Sequence, residues 1–138
     1  MRFAFVLLLL AVALANASTP VIARRSPSSI LLLLDADHDG TVDLVEAKTA
    51  ASAIFDKLDT DKDGTLDAKE LKGRLDKSEF ESGDPDHDKT LTKDEYLTIV
   101  EKLFKAADLD HNGKLDIKEL SSRAGGALTK LLIYEIVL

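Results

Sequence analysis

Cysteine is missing from this 138-residue chain, which excludes disulfides and any thiolate metal site. Methionine occurs once, at Met1. Also missing is an apolar run of the ~20 residues that a membrane-spanning helix needs. The longest run, Phe3 to Ala15, stands behind Arg2 and leads into Ala15-Asn16-Ala17. Charged, apolar and small-residue segments in that order make a secretory leader. Residues 1–17 are therefore expected to be a signal peptide cut before Ser18. That leaves residues 18–138 as one domain without a membrane span, periplasmic or secreted. Arg24-Arg25 follows the apolar run, so it is no twin-arginine signal, and no cysteine is there to carry a lipid anchor.

Basic charge is not in excess either. The chain has 18 basic and 25 acidic residues, and losing Arg2 with the leader changes the balance to 17 − 25 = −8. Of the 25 acids, 18 fall at defined positions in four twelve-residue stretches; without those 18 the remainder is basic, 17 against 7. The acidity is thus concentrated at four places rather than spread over the surface, which argues against nucleic acid as a partner.

One of these stretches, Asp59 to Glu70, reads DTDKDGTLDAKE. Carboxylates stand at its first, third, fifth, ninth and twelfth positions, with Gly64 sixth for a turn at positive φ. A hard cation of calcium's size takes six to eight oxygens. Asp59, Asp61, Asp63, the Thr65 carbonyl, Asp67 (directly or through water) and a bidentate Glu70 can supply them. The spacing resembles the calcium loop of the EF-hand superfamily, and it recurs. Loop one offers Asp35, Asp37, Asp39, the Thr41 carbonyl, Asp43 and Glu46. Loop three offers Asp84, Asp86, Asp88, the Thr90 carbonyl and Glu95, but Lys89 replaces the sixth glycine and Thr92 the ninth aspartate. Loop four offers Asp108, Asp110, Asn112, the Lys114 carbonyl, Asp116 and Glu119. A left-handed lysine costs roughly 1–2 kcal/mol, so loop three is expected to be the weakest or most distorted site.

The fold class these repeats predict is all-α, a helical bundle carrying loops 35–46, 59–70, 84–95 and 108–119. Ser26-Pro27 reads as the start of a helix over Ser28 to Leu34, whose five consecutive apolar residues are expected to be buried. The connectors after loops one and three hold no glycine or proline and should each be one continuous helix. The middle connector contains Gly73, Asp76 and Ser78-x-x-Glu81, a candidate capping box, so a break is expected near residues 76–78. After loop four an exit helix is expected, then Gly125-Gly126, then an apolar tail packed on the core. Phe55, Phe80 and Phe104 stand four residues before loops two, three and four, with Leu31 in that place before loop one. Val42, Leu66, Leu91 and Leu115 fill the eighth positions, where paired loops form a short β-bridge.

Successive loops begin 24, 25 and 24 residues apart. One helix must therefore leave one loop and enter the next, and a ~15-residue helix holds its two loops roughly 22 Å apart. Loops one and two cannot pair, nor can three and four. A bent middle connector pairs two with three and one with four; a straight one pairs one with three and two with four. The bend is favoured.

The short spacing, the leader and the four loops together resemble the lanmodulin family of exported bacterial EF-hand proteins. The likeness is closest over Phe55 to Arg74, FDKLDTDKDGTLDAKELKGR, and clear in DEYLTIVEKLFKAADLDHNGKLDIKEL. It implies a helical bundle with peripheral loops that is ordered by metal and selects trivalent lanthanide ions over calcium. That family's second-position proline is matched only by Pro85, with Ala36, Thr60 and Leu109 elsewhere; its ninth-position aspartate is matched by Asp43, Asp67 and Asp116.

The expected function is to bind up to four Ca2+ or lanthanide(III) ions, and to buffer, carry or scavenge them. The alternative is a calcium-responsive module that exposes a surface to a protein partner, periplasmic and unknown. Sensors of that kind use a methionine-rich groove, which this chain lacks. No enzyme is expected, because the carboxylates are accounted for as ligands and no nucleophile stands with a base. His38, His87 and His111 occupy fourth loop positions and are expected to face solvent rather than a transition metal.

Overall fold

Ser26 accepts a hydrogen bond from the Ser29 N–H and Pro27 follows in the first turn, so helix α1 (Pro27–Leu34) starts where a capping residue and a preset φ favour it. The computed structural model describes residues 26–71 and 73–133. The expected leader, the lead-in to Arg25 and the last five residues of the tail lie outside them. After α1 come β1 (Val42–Asp43), α2 (Leu44–Leu58), β2 (Thr65–Leu66), α3 (Ala68–Leu71), α4 (Lys77–Gly83), β3 (Leu91–Thr92), α5 (Lys93–Ala107), β4 (Lys114–Leu115), α6 (Ile117–Leu120) and α7 (Arg123–Leu132). Among the described residues no helix is long and apolar enough to cross a membrane.

The connectors after loops one and three are single helices of 15 residues each, α2 and α5, as their composition predicts. The middle connector is broken. Its first part ends at Leu71, Gly73 takes φ 78°, and α4 restarts at Lys77. The restart differs from the expected one. Asp76 caps α4, accepting from the Glu79 N–H at 2.8 Å, while Glu79 accepts from the Asp76 N–H at 2.9 Å. Asp76 lies two residues ahead of Ser78, and its carboxylate completes the reciprocal pair first. Glu81 instead pairs with Lys77 across one turn at 3.8 Å.

The broken connector folds the chain into nested loop pairs. β1 pairs antiparallel with β4, Val42 opposite Leu115, and β2 with β3, Leu66 opposite Leu91. All four eighth-position residues are fully buried. Beneath the bridges α2 and α5 pack together, and α7 packs against both. Phe55 and Tyr96 meet edge to face at 5.6 Å, and the Tyr96 hydroxyl donates to the Leu131 carbonyl at 2.8 Å. Phe55 and Phe104 are buried, while Phe80 packs partly buried against the core.

Two expectations are corrected. In the apolar run of α1, Ile30, Leu31 and Leu34 are buried, but Leu32 and Leu33 are 72% and 55% exposed. A helix turning every 3.6 residues offers one face to a core, so a run of five cannot all point inward. The glycine pair does not follow the last helix either. The break comes at Ser121–Ser122, where Ser122 caps α7 by accepting from the Gly125 N–H at 3.0 Å, and both glycines lie inside α7. Leu128, Leu131, Leu132 and Ile133 then bury the described part of the tail.

Candidate metal centres

Each loop begins where a helix ends. The first-position residues Asp35, Asp59, Asp84 and Asp108 are the C-caps of α1, α2, α4 and α5. In three loops the N–H of this aspartate closes the last helical turn onto the residue four before it, Leu31, Phe55 or Phe104, at 2.8–2.9 Å. The apolar repeat noted ahead of the loops thus anchors the first carboxylate to the core. In loop three the same N–H reaches only Glu81, three residues back, at 3.4 Å.

The first carboxylate then organises the turn. Its Oδ1 accepts from the fifth residue's N–H and its Oδ2 from the sixth, as Asp59 does with Asp63 (3.2 Å) and Gly64 (3.0 Å). Asp35 and Asp108 hold Asp39 with Gly40 and Asn112 with Gly113 in the same way, and Asp84 holds Asp88 with Lys89. The sixth position is left-handed throughout: Gly40, Gly64 and Gly113 at φ 82–85°, Lys89 at 69°. So is the fourth, with His38, Lys62, His87 and His111 at φ 57–60°. The three histidines are exposed, as expected.

The twelfth position ties each loop to its outgoing helix. Glu46 Oε2 accepts from the Asp43 N–H at 2.8 Å while Asp43 Oδ1 accepts from the Glu46 N–H at 2.8 Å. Asp67 with Glu70, Thr92 with Glu95, and Asp116 with Glu119 repeat this exchange. The ninth residue is thus an N-cap for α2, α3, α5 or α6. The other glutamate oxygen reaches across the loop to the second residue: Ala36 (2.8 Å), Thr60 (3.0 Å) and Leu109 (2.9 Å) donate to Glu46, Glu70 and Glu119. Pro85 has no N–H to give, so Glu95 lacks this clasp.

The result is convergence. Asp59, Asp61 and Glu70 bring one oxygen each within 4.8 Å of one another; so do Asp84, Asp86 and Glu95, and Asp108, Asp110 and Glu119. In loop one the group is Asp35, Asp37 and Asp39. Asp63, Asp88 and Asn112 instead use side-chain oxygen on the seventh residue's N–H, at 2.8–2.9 Å. The ninth-position carboxylates Asp43, Asp67 and Asp116 are engaged in capping. Crowding like charge together perturbs it. Desolvation, with the charges of Asp39 and Glu46, raises the Asp37 carboxyl above its ordinary range. Asp61 is raised despite the N–H of Asp63, by desolvation and the charges of Asp63 and Glu70. A hydrogen bond with Asp84 raises Asp86.

One contact had no sequence signal. Lys114, expected to contribute only its carbonyl, lies opposite Asp43 in the β1–β4 bridge and extends its ammonium onto the Asp39 carboxylate of loop one. Mainly for that reason Asp39 falls to about 2.

The donors gathered here are carboxylate oxygens with neither sulfur nor imidazole among them, a set suited to hard cations. Residues 47–122 match a family model described as an EF-hand domain pair. No curated protein matches the chain.

Proposed function

The chain belongs to the EF-hand family, and from that premise we propose that it is an exported metal-binding protein that gains order on taking up Ca2+ or lanthanide ions and buffers, carries or scavenges them. The observation that carries the reading is the fourfold convergence of carboxylates in one register. In each loop the first, third, fifth and twelfth side chains and the seventh carbonyl would hold the ion, with the ninth aspartate of loops one, two and four contributing directly or through water, and the ion would neutralise the crowded carboxylates. Loops one and two offer five carboxylates each, more than a dication needs for neutrality, which favours a trication further. Loop three is the weakest site in this reading. It bears a left-handed lysine, has no ninth-position aspartate, and leaves Glu95 without its second clasp. No catalytic role is assigned.

The test is a competitive titration of La3+ against Ca2+ followed by far-UV circular dichroism. Helix gain at lower La3+ than Ca2+ supports the lanthanide assignment. An equal or calcium-favoured response removes it and leaves a calcium binder.

A second reading, a metal-responsive module that docks a protein partner, has the exposed Leu32, Leu33, Val45, Leu109 and Ile117 in its favour. It requires metal-dependent capture of a defined partner, and the lack of methionine after Met1 makes it the weaker reading.

A further inference from the structure

The two loop pairs are not electrostatically equivalent. At the seventh position loops one, two and three carry Thr41, Thr65 and Thr90, whose hydroxyls each donate to the fifth-position aspartate of their own loop at 2.7–2.9 Å. Loop four carries Lys114. The bridge register, Asp43 opposite Lys114, aims that side chain across the pair, and its ammonium lands on Asp39, the fifth-position ligand of loop one. It also lies in the field of Asp37 and Asp43. Loop two receives no such charge from its partner, because loop three has Thr90 at the corresponding position.

We propose that Lys114 is a tethered counter-cation of loop one, which holds that loop's metal affinity below that of loop two and penalises a trivalent ion more than a divalent one. The inference rests on the metal-binding reading above. Without metal, the ammonium relieves the repulsion among Asp35, Asp37 and Asp39. With metal, it must withdraw or remain beside a like charge. Both effects oppose binding, and the repulsive one scales with the charge of the incoming ion. A unit charge about 6 Å from a dication in a medium of water's permittivity weakens binding by about tenfold, and a trication by roughly the three-halves power of that, or thirtyfold.

The position-six amides report each loop separately, since Gly40 and Gly64 donate to the first ligands Asp35 and Asp59. The experiment titrates the 15N-labelled protein with Ca2+ and, separately, with La3+, following these two amides by NMR at low ionic strength. In the unaltered protein Gly40 should respond after Gly64. Lys114→Thr should tighten the Gly40 response by about tenfold for Ca2+ and roughly thirtyfold for La3+, leaving Gly64 in place. Lys114→Arg, which keeps the charge, should preserve the lag. The proposal is overturned if Gly40 and Gly64 fill together in the unaltered protein, if Lys114→Thr moves both alike, or if Lys114→Arg behaves as Lys114→Thr. Silence of both amides toward both ions overturns the metal-binding reading itself, and this proposal with it.

Discussion

Gly125 and Gly126 are neighbours in the same helix, yet alanine should have opposite effects at the two positions. Inside a helix, replacing glycine by alanine ordinarily gains about 1 kcal/mol, because glycine loses more backbone freedom on folding. At Gly126 a Cβ would meet nothing within 4 Å, so the full gain is expected. At Gly125 a Cβ would be driven into the backbone carbonyl oxygens of Glu119 and Leu120, at the end of α6. Backbone cannot swing aside as a flexible side chain can, so the overpacking penalty falls at the upper end of its usual range, about 3 kcal/mol. The net expectation is a loss of about 2 kcal/mol for Gly125→Ala, roughly 10 °C in Tm for a domain of this size. Because Glu119 stands at the twelfth position of loop four and is a ligand in the proposed reading, the damage should also weaken that loop's metal response, read at the Gly113 amide. Urea unfolding at fixed metal concentration gives both free energies. A Gly125→Ala protein as stable as the parent would refute the close approach of α7 to α6.

Three further outcomes can be checked. Lys89→Gly removes a left-handed lysine, relieving roughly 1–2 kcal/mol of backbone strain against ~0.5–1 kcal/mol of added unfolded-state freedom; the net is a small stabilisation and tighter binding in loop three, measured by thermal melting and calorimetry. Tyr96→Phe leaves the Leu131 carbonyl buried without its donor and should cost about 1–3 kcal/mol in urea melts. Glu101 is drawn from its ordinary 4.5 down to about 2 by hydrogen bonds from Lys105 and then Lys48. A carboxylate depressed in the folded state stabilises above its unfolded pKa and loses that contribution as pH falls through the folded one. The Tm deficit of Glu101→Gln should therefore be full above about pH 5, shrink below it, and be mostly gone by about pH 2; a deficit undiminished at pH 2 would refute the charge assignment.

Most of the architecture was legible in the sequence because loop ligands, eighth-position apolar residues and connector lengths are local and periodic. Connectors too short for two helices excluded neighbouring-loop pairing, and Gly73 with the expected Ser78-x-x-Glu81 box favoured the bent alternative that β1–β4 and β2–β3 confirm, although the box that forms is Asp76 with Glu79. Three features were illegible for distinct reasons. The exposure of Leu32 and Leu33 depends on which face of α1 meets α6, a tertiary matter. Gly125 reads as a helix breaker until the α6 carbonyls that demand it are in place. The reach of Lys114 depends on the bridge register between loops 73 residues apart (115 − 42). By contrast, the capping of each outgoing helix was present as D-x-x-E or T-x-x-E, hidden because these residues, Thr92 apart, also read as ligands.

The nested order of the bridges also bears on how the chain gets to this structure. Leu66 and Leu91 are separated by 91 − 66 = 25 residues, Val42 and Leu115 by 73. Closing the longer segment from an open chain costs about 1 kcal/mol more than closing the shorter. Once the inner bridge has formed, it short-circuits the segment between the outer strands and removes part of that excess. The broken middle connector therefore gives folding a natural sequence, inner pair before outer. It also places the loop pair nearest both ends of the domain last in line, where a bound ion would lock the fold shut.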